Sequence, residues 1–384
     1  MKIKNDKPEK EHQRMSFTRW NFIMTILGIL TFLFDIGADL WIAAKYFQQG
    51  LHLFGLLTIF FIIISTIIVQ VFSYTWFKDD CGDEDTWRLR WVLVAHVFLS
   101  GTILRYWYAV KYGYQATSSE HKREECKETK KKAVDAMTDL SMLRLFKTYL
   151  ESTPQLILQL YILLEHGQIS YIQYASIMVS VSSISWSTVD YQMCLRKSLP
   201  GKRTIIVGIP ALTYILYKLL TLTSWTLSIV FLLVCNLYVF AALLFVLGGA
   251  GMLWAWRQQT DFCKNVRVEI LYRFVAGLIL IFTFFNLKGQ RTKIPISVYY
   301  FVRVLITTGI LILCFYYKPQ LTQTLFFATL SITVVASLGL GIISLILYYK
   351  CFHPTLCAKE PDTRDESDGS TSEQMGRFED FLVP

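Results

Sequence analysis

NFIMTILGILTFLFDIGADLWIAAK, residues 21–45, is a run of membrane-spanning length that carries two acids. As a helix it reaches about 37 Å, enough to cross a hydrocarbon layer about 30 Å thick. In lipid a helix satisfies its own backbone, whereas an isolated extended segment does not. The run is too uniformly apolar for the alternating strands of an outer-membrane barrel. Asp35 and Asp39 stand four apart, so on a helix both carboxylates share one face. Each costs about 2.5–3.5 kcal/mol to insert near the bilayer centre. Water or cationic partners must offset that cost.

The same pattern extends along the chain. Of 384 residues, 53% are hydrophobic and 17% charged, against about 25% charged in soluble domains. Ten membrane-length segments can be read, at 21–45, 52–77, 91–110, 138–164, 169–193, 205–234, 237–256, 266–287, 297–317 and 323–350. This predicts an all-α polytopic membrane protein. No small-residue cleavage site follows the first run, so it reads as a retained span.

Lys and Arg cluster in the N-terminus (Lys2, Lys4, Lys7, Lys10, Arg14, Arg19) and at 111–132, 196–203, 257–267 and 288–293. The positive-inside rule puts all five stretches in the cytoplasm. Ten full crossings conflict with that. The conflict disappears if the third and eighth segments dip into the membrane without crossing. Arg105 and Lys111 interrupt the third; Glu269 and Arg273 interrupt the eighth. The predicted architecture is eight transmembrane helices plus two membrane-inserted segments, with both termini cytoplasmic. It reads as a basic N-terminus (1–20), a helical domain (21–350) with a cytoplasmic loop at 111–137, and a regulatory tail (351–384). The order of crossings and dips is the same in both halves, which suggests an internal repeat of the kind transporters use.

The net charge of +9 reads as a cytoplasmic-face signature, not a nucleic-acid footprint. The eight cysteines form no C-x-x-C pair. No nucleophile–base pair, phosphate-cradling loop or His/carboxylate metal cluster emerges. The expectation is no enzyme, no cofactor and no metal, and no ATP-binding motif to drive transport.

Further ionisable residues lie within the segments: Arg105, Asp139, Arg144, Lys147, Glu151, Asp190, Lys218, Glu269, Arg273 and Arg303. Such residues face a bundle interior or a wet cavity. Buried pairs that fix packing would account for a few of them. Their number favours a polar track, with Asp35, Asp39, Arg105, Glu151, Asp190 and Lys218 as head-group contacts. Pro154 removes a backbone donor in the fourth segment, so a kink or break is expected there, among Glu151, Thr153, Gln155 and Gln159.

FDIGADLW (34–41), DLSMLRLFKTYLESTPQLILQLYILL (139–164), ISWSTVDYQMCLRKSLP (184–200), EILYRFVAGLILIFTFFNLKGQ (269–290) and LYYKCFHP (347–354) resemble the XK-related family over nearly the whole chain. The resemblance implies a caspase-activated phospholipid scramblase of the plasma membrane that exposes phosphatidylserine on apoptotic cells. It leaves room for a single-span membrane partner or for self-association. The tail agrees. PDTRDESDGSTSEQMGRFEDFLVP contains two overlapping D-x-x-D strings, ending at Asp365 and Asp368. Gly369 after Asp368 suits an executioner caspase, whereas Glu366 after Asp365 does not. From Ala358 onward the chain has eight acids and three bases, a composition expected to be extended and protease-accessible. Met375, Phe378, Phe381 and Leu382, with Val383, recur at near-helical spacing. They are expected to plug a cytoplasmic-facing cavity until cleavage releases them. A solute transporter or channel, or a non-transporting membrane scaffold, is the alternative reading.

Overall fold

The computed structural model describes residues 19–81, 86–118, 123–166, 171–198, 208–260, 262–285, 293–317 and 325–352. All regular structure among them is helical: α1 (Arg19–Gln48), α2 (His52–Cys81), α3 (Thr86–Val97), α4 (Gly101–Ser118), α5 (Arg123–Lys147), α6 (Thr153–His166), α7 (Tyr171–Ser198), α8 (Ile209–Cys235), α9 (Leu237–Arg257), α10 (Val266–Phe282), α11 (Lys293–Tyr317) and α12 (Leu325–Leu347). π-helical turns occupy Thr148–Ser152 and Tyr348–Phe352.

Among the described residues, six helices are long and apolar enough to cross a membrane: Asn21–Gln48, His52–Asp80, Ile209–Cys235, Leu237–Arg257, Lys293–Tyr317 and Phe327–Phe352. Segments 138–164 and 169–193, read from sequence as crossings, are also helical. The charges of α5 and the serines and terminal charges of α7 keep them out of that set. Large apolar side chains point outward, Phe34 at 78% exposed and Phe245 at 83%. That is ordinary where the surrounding solvent is hydrocarbon.

One sequence reading changes in detail, and another takes a specific form. The third segment, expected as one run, is a pair of helices separated by Phe98–Ser100. Leu99 takes a left-handed backbone, φ 59°, and its carbonyl accepts from Gln70 Nε2 at 3.0 Å. Gly101 is required at the next helix start, because a Cβ there would come within 2.4 Å of Gln70 and 2.2 Å of the His96 ring. At Pro154 the interruption is a π-helical turn, and α6 begins at Thr153. The helical run continues unbroken through this turn, which shifts the backbone hydrogen bonding just before the residue that cannot donate.

The chain divides into two compact units, residues 1–151 with 190–203, and 152–189 with 204–384. In the first unit the buried face of α5 forms the core. Leu140, Met142, Leu143, Leu145 and Phe146 are all nearly inaccessible, and Phe146 packs against Phe72 (4.9 Å) and Trp76 (6.4 Å). In the second unit α8 is the central helix, with Trp225 and Ile229–Leu232 buried. Asn236 alone separates α8 from α9. Its backbone N–H closes α8 on the Leu232 carbonyl, while its side chain accepts from Tyr238 and Val239 N–H at 2.9 and 3.1 Å. Helices α9 and α10 meet at Gly251 and Gly277, where a Cβ on Gly251 would stand 2.9 Å from the Gly277 carbonyl oxygen. Small residues that let backbones approach are how membrane helices pack without a hydrophobic driving force.

Candidate functional site

The ionisable residues of the first unit converge on α5. Asp139, Arg144, Lys147 and, on the π-helical turn, Glu151 occupy successive turns, a rise of about 18 Å. Each meets a partner from another helix. At one end Arg105 of α4 donates through Nη1 to Asp139 at 2.7 Å. Its Nε donates to Ser73 Oγ at 3.1 Å and its Nη2 to the Ser73 carbonyl at 3.0 Å. The guanidinium lies over Phe77 at 4.3 Å and Trp76 at 5.6 Å. His96 Nε2 shares the Ser73 hydroxyl at 2.8 Å. Both members of this pair are buried, so this end of the ladder is closed and well satisfied.

Next along the helix, Arg144 pairs with Asp190 of α7 at 3.1 Å and reaches the Tyr106 hydroxyl at 3.4 Å. The two side chains keep 28% and 23% exposure. Gly28 of α1 makes room for this arginine, since a Cβ there would fall 2.6 Å from its Nη2.

At the far end Lys147 pairs with Asp35 and, at 3.4 Å, with Glu151. The Ser65 hydroxyl of α2 donates to the other Glu151 oxygen. Asp35, Asp39 and Glu151 each bring one oxygen within 4.8 Å of the others. Three carboxylates therefore share a single ammonium. Asp39 is buried, and its Oδ2 lacks a hydrogen-bond partner, while the Asp35 side chain is 43% exposed. Oxygen ligands of this kind suit a hard cation, although the Lys147 ammonium already lies against two of them. The sequence showed no such grouping, because the fold assembles it from α1 and a π-helical turn more than a hundred residues away.

Of the residues expected to line a track, Asp35, Asp39, Arg105, Glu151 and Asp190 all belong to this first-unit array. Asp139, Arg144 and Lys147, noted in the sequence only as ionisable, are their direct partners. Ser65, Ser73 and Tyr106 carried no sequence signal. Lys218 belongs to the second unit. It is buried and donates to Thr283 Oγ1 at 2.8 Å and to the Phe284 carbonyl at 3.2 Å, with no carboxylate in ion-pair range among the described residues. Glu269 and Arg273 form an i,i+4 pair at 3.2 Å. Thr260, together with the Cys263 N–H, completes that pair's hydrogen bonds. This is a local structural brace. On the surface, Glu128 meets Lys132 at 2.6 Å, and that ammonium holds its carboxyl below the usual range. Asp365, Asp368, Met375, Phe378, Phe381 and Leu382 lie outside the described residues.

A bundle of membrane-length helices with an ion-pair ladder along one of them defines a polytopic helical membrane protein with a charged interior. The family model for XK-related protein matches residues 23–354, and the chain belongs to the XK-related family. It is 36% identical to XK-related protein 9 of Tetraodon nigroviridis over 381 residues, covering 96% of this chain and 99% of that protein. It is 32% identical to XK-related protein 8 of Gasterosteus aculeatus (90% of this chain, 86% of that one). Identity to XK-related protein 8 of Pan troglodytes is 31%, covering 92% of this chain and 88% of that one.

Proposed function

We propose that this chain is a passive phospholipid scramblase of the plasma membrane, with both termini in the cytoplasm. It exposes phosphatidylserine on apoptotic cells after an executioner caspase cuts behind Asp368. The observation that carries the reading is the ladder along α5, with a sealed Arg105–Asp139 end and an open Asp35 end. A lipid's barrier to crossing is the passage of its head group through hydrocarbon. A row of paired charges replaces hydration along that route while the acyl chains stay in the bilayer. Charges placed only for packing would be buried and saturated throughout, as Arg105 is. Asp35, Arg144 and Asp190 keep part of their side chains exposed, and among the described residues Arg144 Nε has no partner.

The tail supplies the switch. Its net negative charge draws it to the basic inner loops, and Met375, Phe378, Phe381 and Leu382 give it an apolar anchor. Cleavage behind Asp368 frees residues 369–384.

The test uses purified protein in proteoliposomes containing fluorescent phosphatidylserine, before and after caspase treatment. Lipid movement is expected to accelerate on cleavage in wild type and not in Asp365→Ala/Asp368→Ala. In the cleaved protein, Asp35→Asn/Asp39→Asn is expected to slow lipid movement without loss of folded protein. If intact and cleaved protein scramble equally, tail gating is wrong. If the double asparagine variant scrambles at the wild-type rate, the acids have no part in the route. A solute flux with no lipid movement would favour a transporter instead.

A further inference from the structure

Among its described residues the second unit contains a buried cation with no acid to match it. Arg303 of α11 is 3% exposed and, among the described residues, meets no carboxylate within ion-pair range. Its Nη1 donates to the Tyr299 hydroxyl at 2.6 Å, and Tyr299 donates onward to the Leu280 carbonyl at 3.0 Å. Among the described residues its Nε and Nη2 have no partner. Those two nitrogens share one edge of the guanidinium plane and present parallel N–H bonds. The indole of Trp225 lies 4.4 Å from the guanidinium carbon, and its own Nε1 is likewise buried without a partner. Thr307, one turn along on the same helix face, has a buried hydroxyl with no partner. Lys218, two turns before Trp225 on α8, is buried and among the described residues has no carboxylate in ion-pair range, and its neighbour Tyr217 bonds at 2.6 Å to Tyr300 of the Arg303 helix.

These unpartnered groups are nearly all donors. Guanidinium does not give up its proton in proteins, so neutralisation cannot relieve the site. Burying a charge without a counter-charge is strongly unfavourable. A parallel pair of N–H groups matches two oxygens of one oxyanion, and a lysine ammonium adds a point charge of the kind phosphate sites use. We infer that Arg303, Trp225 and Thr307, reinforced by Lys218, form a binding site for a phosphate oxyanion, either the phosphodiester of a phospholipid or free inorganic phosphate. The inference stands on the second unit alone and does not depend on the scramblase reading.

The full-length chain, purified and stripped of lipid in detergent, tests it. Thermal stability is followed while inorganic phosphate, chloride, phosphatidylcholine or phosphate-free diacylglycerol is titrated. Stabilisation by inorganic phosphate in excess of chloride assigns a free-anion site. Stabilisation by phosphatidylcholine but not by inorganic phosphate or diacylglycerol assigns a lipid phosphodiester site, and native mass spectrometry should then show one retained phospholipid. In either case Arg303→Met is expected to weaken the apparent affinity more than tenfold. Trp225→Phe, which keeps a ring but loses the N–H, should weaken it about threefold to tenfold, the worth of one hydrogen bond. Thr307→Val gives a third reading if Arg303→Met does not fold. The inference is overturned if neither phosphate source stabilises, if chloride or diacylglycerol serves equally well, or if the variants respond as wild type does.

Discussion

Arg105→Met separates what the ladder does for folding from what it does for transport. The substitution removes three hydrogen bonds and the cation facing Asp139, both in a site nearly closed to solvent. Breaking a buried pair by deleting one partner costs about 3–5 kcal/mol, because the other charge stays buried. For a large domain that corresponds to a melting shift on the order of 10 °C. Replacing both members, as Arg105→Met/Asp139→Leu, removes the orphaned charge and should recover most of the loss, since apolar replacement of a buried pair is often neutral. An exposed pair provides the control: Lys132→Ala, opposite Glu128, should change stability by less than about 0.5 kcal/mol. The assay is heating in detergent followed by size-exclusion chromatography, with scrambling rates measured per folded molecule. The double variant is expected to scramble within about twofold of wild type, because a rung satisfied on every side has no group left for a head group. The reasoning fails if Arg105→Met melts with wild type, or if the double variant falls as far as the two single losses added together.

Gly28→Ala is expected to displace the Arg144 guanidinium, lowering the melting temperature and slowing lipid movement, whereas Gly37→Ala, with open space at its Cβ, should do neither. Cys235 and Cys314 lie with sulfurs 2.8 Å apart and are not joined as a disulfide; a mild oxidant should join them, seen as one linked peptide pair by mass spectrometry and absent in Cys314→Ala. Gly277→Val should separate α9 from α10, because its side chain would meet the Met252 backbone nitrogen at 2.9 Å, and a loss of folded protein above about 2 kcal/mol follows from such overpacking; normal yield and melting would refute that contact.

Helix existence was legible because a bilayer sets a length, and apolar runs of that length have only one way to satisfy their backbones. The break at Phe98–Ser100 was not, because it depends on Gln70 from another helix taking the Leu99 carbonyl. At Pro154 the sequence could not say what form the expected interruption takes. A proline inside a helical run must be accommodated somewhere, and here a π-helical turn directly before it does so without ending the run. Charges could be found by eye but not paired. Asp35 and Asp39 share a helix face by spacing alone, yet Lys147 stands 112 residues from Asp35 in the chain. Lys218 and Arg303 look like Arg105 in sequence, each a single cation in an apolar run. Only their surroundings distinguish a saturated arginine from one with an open edge.

Among the described residues, the buried charge clusters of the two units depart from neutrality in opposite directions, each within its own unit. In the first, Asp35, Asp39 and Glu151 share one lysine, so even with one carboxyl protonated they retain an excess of acceptor oxygens. In the second, Lys218 and Arg303 are buried with hydroxyls, carbonyls and aromatic faces and, among the described residues, no acid. Structural charge in a membrane interior is normally matched locally, because each uncompensated ion carries its desolvation cost. A phospholipid head group supplies what each unit lacks: an ammonium for crowded carboxylates and a phosphate for unmatched cations. If that is the reason for the imbalance, lipids differing only in the head group should separate the two. A lipid lacking the amine should lose the effect of Asp35→Asn/Asp39→Asn while keeping that of Arg303→Met. Equal sensitivity of both variants to every head group would mean the charges serve packing alone.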